Sequence, residues 1–258
     1  MSDSAVRLIE VCFAYEKDMV LKSISADIKK HRICFIMGNN GSGKTTLLKN
    51  LMGFLNPQTG KIVIGDRDVS TMDHKSMSKT VSYVPQAIQL NTDFKVIDYL
   101  ALGRTPHSGL LNRLSNSDYD IIDKYSSRFG IEDCYDIEFN KLSGGQKQMI
   151  AIVRSLIQDT PVIIMDEPMS ALDIGKQVDM LKAFKDLTNE GKTIILTTHN
   201  PNHALSVISD VCFLKHGEIV AYGRSNEIVD EKLLHEIYGP NVELDHGRFD
   251  SVVFNTNP

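Results

Sequence analysis

Long apolar runs are missing from this 258-residue chain: no stretch approaches the ~18 uninterrupted apolar residues that a membrane-spanning helix needs. The opening MSDSAVRLIE also lacks the basic-then-apolar order of a signal peptide. The expectation is a chain that neither spans a membrane nor is exported. A surplus of positive charge is missing too. Lys and Arg number 28 against 33 Asp and Glu, a net charge of -5, so no basic field is available to hold nucleic acid and none is expected as a partner. Closely spaced cysteines are missing as well. Cys12, Cys34, Cys134 and Cys212 stand far apart, without the spacing of zinc sites or redox motifs, and three of them lie in apolar strand-like runs. They are read as reduced core residues suited to a reducing cytosol. Internal repeats and low-complexity linkers are absent.

What is present is the composition of an ordinary globular protein, 42% hydrophobic and 24% charged. Single cores stop growing at roughly 250 to 300 residues, so one large domain, or one domain with an inserted subdomain, is expected. Strand-like alternation covers Val6 to Phe13, Ser23 to Ile28 and Arg32 to Met37, broken by the turn Glu16-Lys17-Asp18. A glycine-rich segment follows, then a helix from Lys44 to Met52 ended by Gly53 and Pro57. Lys61 to Ile64 and Val81 to Val84 read as strands, Val96 to Leu102 and Asp118 to Phe129 as helices, and the middle from about 87 to 157 as mostly helical. Val162 to Met165 and Thr193 to Thr197 are near-continuous apolar or β-branched runs around a helix from about Lys176 to Leu187, the mark of a buried parallel sheet. A strand pair around Cys212 and Val220 and a helix near Ile228 to Ile237 close the pattern. The tail from Pro240 is polar and irregular and shows no usable period.

Gly38-Asn39-Asn40-Gly41-Ser42-Gly43-Lys44-Thr45 fits the G-x-x-x-x-G-K-[ST] phosphate loop between a predicted strand and a predicted helix, the context that confirms the motif. The glycines let successive N–H groups turn inward around an anion and the helix N-terminus adds its dipole. Lys44 then reaches the β/γ-phosphates, and Thr45 offers a hydroxyl to Mg²⁺. Val162-Ile163-Ile164-Met165-Asp166-Glu167 is an apolar strand that delivers two carboxylates to the sheet edge where α/β ligands bind. Asp166 would hold Mg²⁺, and Glu167 would orient or deprotonate an attacking water. Leu142-Ser143-Gly144-Gly145-Gln146 opens a further helix that Ser143 can cap.

That last segment resembles the LSGGQ signature of the ATP-binding cassette (ABC) ATPases, and the resemblance extends from Tyr15 to about Gly223. It implies an α/β fold: a phosphate-loop (RecA-like) nucleoside triphosphatase core with an antiparallel β lobe and an inserted α-helical subdomain. The implied layout is one cassette domain over 1–258. Lobe and core would occupy about 1–86 and 158–223, the helical subdomain about 87–157, and a C-terminal helix and tail about 224–258. It implies nucleotide contacts from Tyr15, Gly38, Asn39, Asn40, Gly41, Ser42, Gly43, Lys44, Thr45 and Thr46, and from Ser143, Gly144, Gly145, Gln146 and Asp173. Catalytic roles are implied for Glu167, His199 and Gln86, and Mg²⁺ contacts for Thr45, Gln86 and Asp166. Two departures stand out: Asn39 where the family often has Pro, and Met169 where it often has Thr. Altered loop packing is expected there and not lost activity.

The family completes its ATP sites between two cassettes, so a second copy of the chain is the implied partner. A lone cassette cannot carry solute, so separate integral membrane permease subunits are implied, and indirectly an extracytoplasmic substrate-binding protein. The setting would be the cytoplasmic face of the cell membrane. The segment from Thr92 to His107, with its run Leu102-Gly103-Arg104, looks like the ATPases of importers for ferric siderophores, haem and vitamin B12, as does Pro201-Asn202-His203-Ala204. Tyr99, Arg104 and His107 are expected on the partner-docking side. Importers of molybdate, manganese or zinc, a non-transport ABC ATPase such as an iron–sulfur cluster assembly factor, and a binding-only regulator stay open as alternatives.

Overall fold

The computed structural model describes residues 3–88, 93–108, 114–246 and 250–254. The first part of the chain runs β1 (Ser4–Tyr15), β2 (Asp18–Lys29), β3 (Ile33–Met37), α1 (Lys44–Leu51), β4 (Thr59–Ile64), β5 (Arg67–Asp68), α2 (His74–Thr80) and β6 (Val81–Val84). Then come α3 (Val96–Ala101), α4 (Thr105–Ser108), α5 (Asn116–Phe129) and α6 (Gly144–Ile157). The last part holds β7 (Val162–Met165), α7 (Ile174–Asn189), β8 (Thr193–Thr197), α8 (Pro201–Ser206), β9 (Asp210–Lys215) and β10 (Glu218–Arg224). It ends with α9 (Ser225–Ile228), α10 (Glu231–Tyr238), β11 (Val242–His246) and β12 (Asp250–Phe254).

A six-stranded sheet in the order β10-β9-β3-β8-β7-β6 forms the centre, parallel throughout except at β10. The strands β3, β7 and β8 are buried at every position, which is why their sequences are continuous apolar runs and do not alternate. Alternation returns in how the two faces are used. Phe35, Met37, Ile163, Leu196 and Phe213 face a core shared with α6 and α7. Cys34, Ile36, Ile164, Ile195 and Leu214 face α1 and the antiparallel lobe β2-β1-β4-β5. The fold is thus an α/β core with an antiparallel lobe on one face and the helices between β6 and β7 on the other. No helix among the described residues is long and apolar enough to cross a membrane.

The structure corrects several expectations. The described residues after Pro240 are not irregular. β11 and β12 pair as a hairpin with Val242 opposite Phe254 and Leu244 opposite Val252, and Val242, Leu244 and Val252 bury against Leu234 of α10. The helix near Ile228 to Ile237 is two helices, because the carboxylate of Asp230 accepts from Leu233 N at 2.7 Å and starts α10 afresh. The short helices α2 and α8 carry too few residues to show a period. Cys34 and Cys212 are buried, whereas Cys12 and Cys134 are only partly so; all four are free thiols.

The largest correction concerns the segment expected to dock a partner; its first residue, Thr92, lies outside the described residues. Arg104 is buried. Its Nε donates to Asp118 Oδ1 at 2.7 Å and its Nη1 to Ile157 O at 2.9 Å. Tyr99 is buried against Phe139, with ring centroids 4.6 Å apart, and His107 Nε2 donates to Gln158 O at 2.8 Å. Leu102-Gly103-Arg104 is an internal joint: a Cβ at Gly103 would stand 2.8 Å from Arg154 O, so α6 lies directly on this backbone.

Asp118 also closes the capping box of α5, where Ser115 N and Oγ both donate to Oδ2. These hydroxyl and guanidinium hydrogen bonds hold its carboxyl at about 2, below its ordinary 3.8. The sign follows from the depressed value: the stabilisation is complete above 3.8 and is lost as pH falls toward 2. Asp118→Asn is expected to cost roughly 3–5 kcal/mol near neutral pH, because it leaves a buried guanidinium without its counter-charge. Urea midpoints should show this gap closing below pH 3.8. A gap of the same size at all pH values would show that the ionised pair is not its source.

Candidate functional site

The loop from Gly38 to Gly43 joins the central strand β3 to α1. Gly38 has φ 144, and a Cβ there would meet Leu214 O of β9 at 2.1 Å, so the loop starts where only glycine fits. Gly43, at φ 107, is the N-cap of α1 and supplies no side-chain cap. Among described helices of eight or more residues, α1 is the exception: Ser115, Ser143, Asp173 and Asp230 cap α5, α6, α7 and α10 with their side chains. No side chain among the described residues caps the first turn of α1, which leaves its N–H groups available to an anion. Ser42 Oγ, buried and without a hydrogen-bond partner, points to the same missing acceptor. Lys44 Nζ donates to Gly38 O at 2.8 Å and Asn39 O at 3.0 Å. Burial pulls its pKa down, while Glu167 and Asp166 oppose that shift. Asn39, the departure from the family pattern, donates through Nδ2 to Ile237 O at 2.6 Å and ties the loop to α10. Thr46 lies on the buried side of α1, with Lys44, Leu47 and Leu48.

Across the sheet, the end of β7 delivers Asp166 and Glu167. Because β8 lies between β3 and β7, a side chain of β8 spans the gap. Thr197 donates to Asp166 Oδ1 at 2.6 Å and accepts from Glu167 N at 2.8 Å, while Thr45 Oγ1 donates to Asp166 Oδ2 at 3.0 Å. Sequence reasoning missed Thr197; its signal was a hydroxyl where the apolar run of β8 ends. Glu167 has a left-handed backbone, φ 45, held by Thr197 on its N–H and by the Ser170 hydroxyl donating to its carbonyl at 3.0 Å. Backbone strain of this kind persists only where its surroundings enforce it and gathers at reactive positions. Gln86 Nε2 donates to Glu167 Oε2 at 3.1 Å, and His199 Nδ1 stands 3.6 Å from that same oxygen. The structure thus brings Lys44, Thr45, Asp166, Glu167, Gln86 and His199 together from four separate segments.

The remaining expected residues lie elsewhere. Ser143 and Gln146 form a reciprocal capping box at α6, Ser143 N donating to Gln146 Oε1 at 2.9 Å. Gly144 is open to space, whereas a Cβ on Gly145 would stand 3.0 Å from Ala171 O. Asp173 caps α7 by accepting from Lys176 N at 2.9 Å. No hydrogen bond among the described residues joins Ser143 to Gln146 with the loop at Gly38 to Thr46. Tyr15 is exposed at the turn between β1 and β2, edge-on to Phe13, and β2 abuts the loop at Gly43, where a Cβ would stand 3.0 Å from Leu21.

A glycine cradle at an uncapped helix, with a lysine inside it and acids two strands away, defines the class: a phosphate-loop nucleoside triphosphatase. Comparison with known proteins then narrows the class. The ABC transporter family model matches residues 21–170. The petrobactin import ATP-binding protein of Bacillus subtilis is 35% identical over 241 residues, covering 93% of this chain and 94% of that one. The ferric enterobactin transport ATP-binding protein of Escherichia coli is 31% identical over 242 residues, covering 93% and 89%. A metal-chelate type ABC transporter solved in an inward-facing conformation superposes with a TM-score of 0.85 at 25% identity, covering 98% of each chain. The chain belongs to the ABC transporter family, and it is an ATP-using, ATP-hydrolysing cassette.

Proposed function

We propose that this chain energises uptake of a ferric siderophore or a related metal chelate through separate membrane permease subunits, working as a pair of copies on the cytoplasmic face of the membrane. The observation that carries the chemistry is the convergence of Gln86 and His199 on one carboxylate oxygen of Glu167, beside the Thr45 and Asp166 pair. Lys44 and the loop N–H groups hold the phosphates. Hard oxygen donors from Thr45 and Asp166, 3.0 Å apart, suit Mg²⁺, which needs few protein ligands; Gln86 adds a third oxygen. When bound, the ion neutralises charge developing on the transferred phosphoryl group. Glu167 orients and deprotonates the water, and His199 contacts the γ-phosphate. Tyr15 stacks on the base, and Ser143 to Gln146 with Asp173 act across the interface on the partner's nucleotide. The capping box at α6 supports that last role, since it engages only the Ser143 and Gln146 N–H groups and Gly144 borders open space.

The permease is proposed to dock in a groove of about 560 Å³ that runs from exposed Phe54 past Met77 and Tyr83 to Pro85 and Ile88, next to Gln86. Tyr99 lines the inner wall of this groove, whereas Arg104 lies outside it and is internal. Phe54→Glu is expected to leave ATP hydrolysis by the isolated chain unchanged and to abolish coupled uptake; loss of basal hydrolysis would refute the docking role. For the substrate, the chain reconstituted with its permease pair and binding protein should show ATPase stimulation by ferric siderophores and none by molybdate. Stimulation by molybdate, manganese or zinc alone would overturn the chelate reading, and co-purification with a soluble scaffold would overturn transport.

A further inference from the structure

A partly buried polar chain beside Glu167, centred on buried Thr198 and His203, has no part in the reaction as derived so far. It begins at Asn200, whose N–H donates to Thr198 Oγ1 at 3.1 Å, and continues from Thr198 Oγ1 to His203 Nδ1 at 2.9 Å. His203 Nε2 lies 3.1 Å from Gln177 Oε1, and Gln177 Nε2 donates to Met169 O at 3.1 Å and Leu172 O at 3.0 Å. The directions are fixed by the ends. Two carbonyls can only accept, so Gln177 presents its amide nitrogen to them and its oxygen to His203. His203 must then carry its proton on Nε2, and its bare Nδ1 accepts from the Thr198 hydroxyl. Asn200 Nδ2, 3.4 Å from the same Nε2, brings only further N–H donors, because Asn200 Oδ1 is engaged by Asn202 N at 3.0 Å. Burial, with a smaller contribution from His199, pulls the His203 pKa down to about 4, so the neutral tautomer that this chain requires is the one present at neutral pH.

The two ends of the chain lie on different loops. Thr198 and Asn200 flank His199, whose ring nitrogen stands 3.6 Å from Glu167 Oε2. Met169 and Leu172 bound the segment whose Ser170 holds the Glu167 carbonyl and whose Ala171 carbonyl packs on Gly145 of α6. We infer that His203 is a positioning residue for ATP hydrolysis: through Gln177 it locks the loop carrying His199 to the loop from Met169 to Leu172, so that both flanks of Glu167 hold one geometry. Hydrogen bonds aligned head to tail strengthen one another in a buried setting, and a displacement near 1 Å at a reacting group is enough to cost about 10²-fold in rate. This role goes beyond the assignment of Glu167 and His199 themselves, since neither His203 nor Gln177 touches the nucleotide loop.

The test is steady-state kinetics and nucleotide binding on the purified full-length chain. His203→Phe and Gln177→Leu are each expected to lower kcat by about 10- to 100-fold with the Kd for ATP unchanged, because the phosphate loop is untouched. The double variant should fall no further than either single one, as expected for two links of one clamp. His203→Gln, whose amide can donate to Gln177, should recover most of the rate. Should His203→Phe fail to fold, Gln177→Glu serves instead: it keeps the acceptor for His203 and loses both donations to Met169 and Leu172, so its kcat alone should drop. Unchanged kcat in these variants, an ATP Kd that weakens in step with kcat, losses that multiply in the double variant, or no recovery with His203→Gln would each overturn the proposal.

Discussion

Glu167→Gln is expected to lower kcat by about 10²- to 10⁴-fold, the span of a general base. ATP binding should survive. The amide keeps the volume, and Gln86, which donates to Glu167 Oε2, can instead meet the new carbonyl oxygen. The left-handed backbone is set by Thr197 and Ser170 through main-chain atoms, so it does not depend on the side chain. What disappears is the carboxylate's capacity to take a proton. Because Ser143 to Gln146 are joined by no hydrogen bond to their own chain's phosphate loop, two copies must supply a complete site in the proposed mechanism. The stalled variant should therefore gather as a dimer with Mg·ATP. Light scattering with and without Mg·ATP checks this, and adding Ser143→Arg should remove the dimer by placing bulk at the facing surface. Wild-type turnover would remove Glu167 from the reaction. A monomer at saturating Mg·ATP would remove the two-copy site.

The second large effect lies in the backbone. Gly38→Ala is expected to destabilise the fold by more than about 4 kcal/mol and to abolish ATP binding, since a Cβ would lie 2.1 Å from the Leu214 carbonyl. That oxygen belongs to β9, whose neighbour β3 carries Met37 opposite Phe213, so neither strand can withdraw without breaking the sheet. The φ of 144 at Gly38 adds strain. Gly41→Ala is the control for stability: its φ is 79 but nothing lies within 4 Å, so the melt should show only the conformational cost of roughly 1 kcal/mol. Thermal melts and a fluorescent nucleotide measure both. Equal effects from the two substitutions would show that the contact with β9 is not what the glycine serves.

Much of the fold was legible because its strands announce themselves. Val162 to Met165 and Thr193 to Thr197 are continuous apolar or β-branched runs, as burial on both faces demands. The phosphate loop and the acids after β7 were legible because each is a short contiguous string. What escaped was whatever depends on distant residues meeting. Thr197 spans a gap created by strand order, which no local pattern encodes. Arg104 sits in a segment that looks amphipathic and exposed, yet its partner is Asp118 and its second acceptor Ile157. The terminal hairpin alternates Val242 and Leu244 with polar residues, but so short a run gains meaning only against α10. The left-handed Glu167 has no sequence signal, because glutamate does not favour that backbone region and it is held there by Thr197 and Ser170.

The central position of β3 has a consequence for biosynthesis. The strand that carries the phosphate loop is bordered on both sides by strands made far later, β8 and β9, and Asn39 is bonded to Ile237, 198 positions downstream. At translation rates of about 5–20 residues per second, the loop leaves the ribosome roughly 10 to 40 seconds before its last support exists. Until β7, β8 and β9 have been made it has neither the acids that follow β7 nor either sheet neighbour to work with. A chain that ends before β8 therefore carries the nucleotide motif with neither strand that borders it in the sheet.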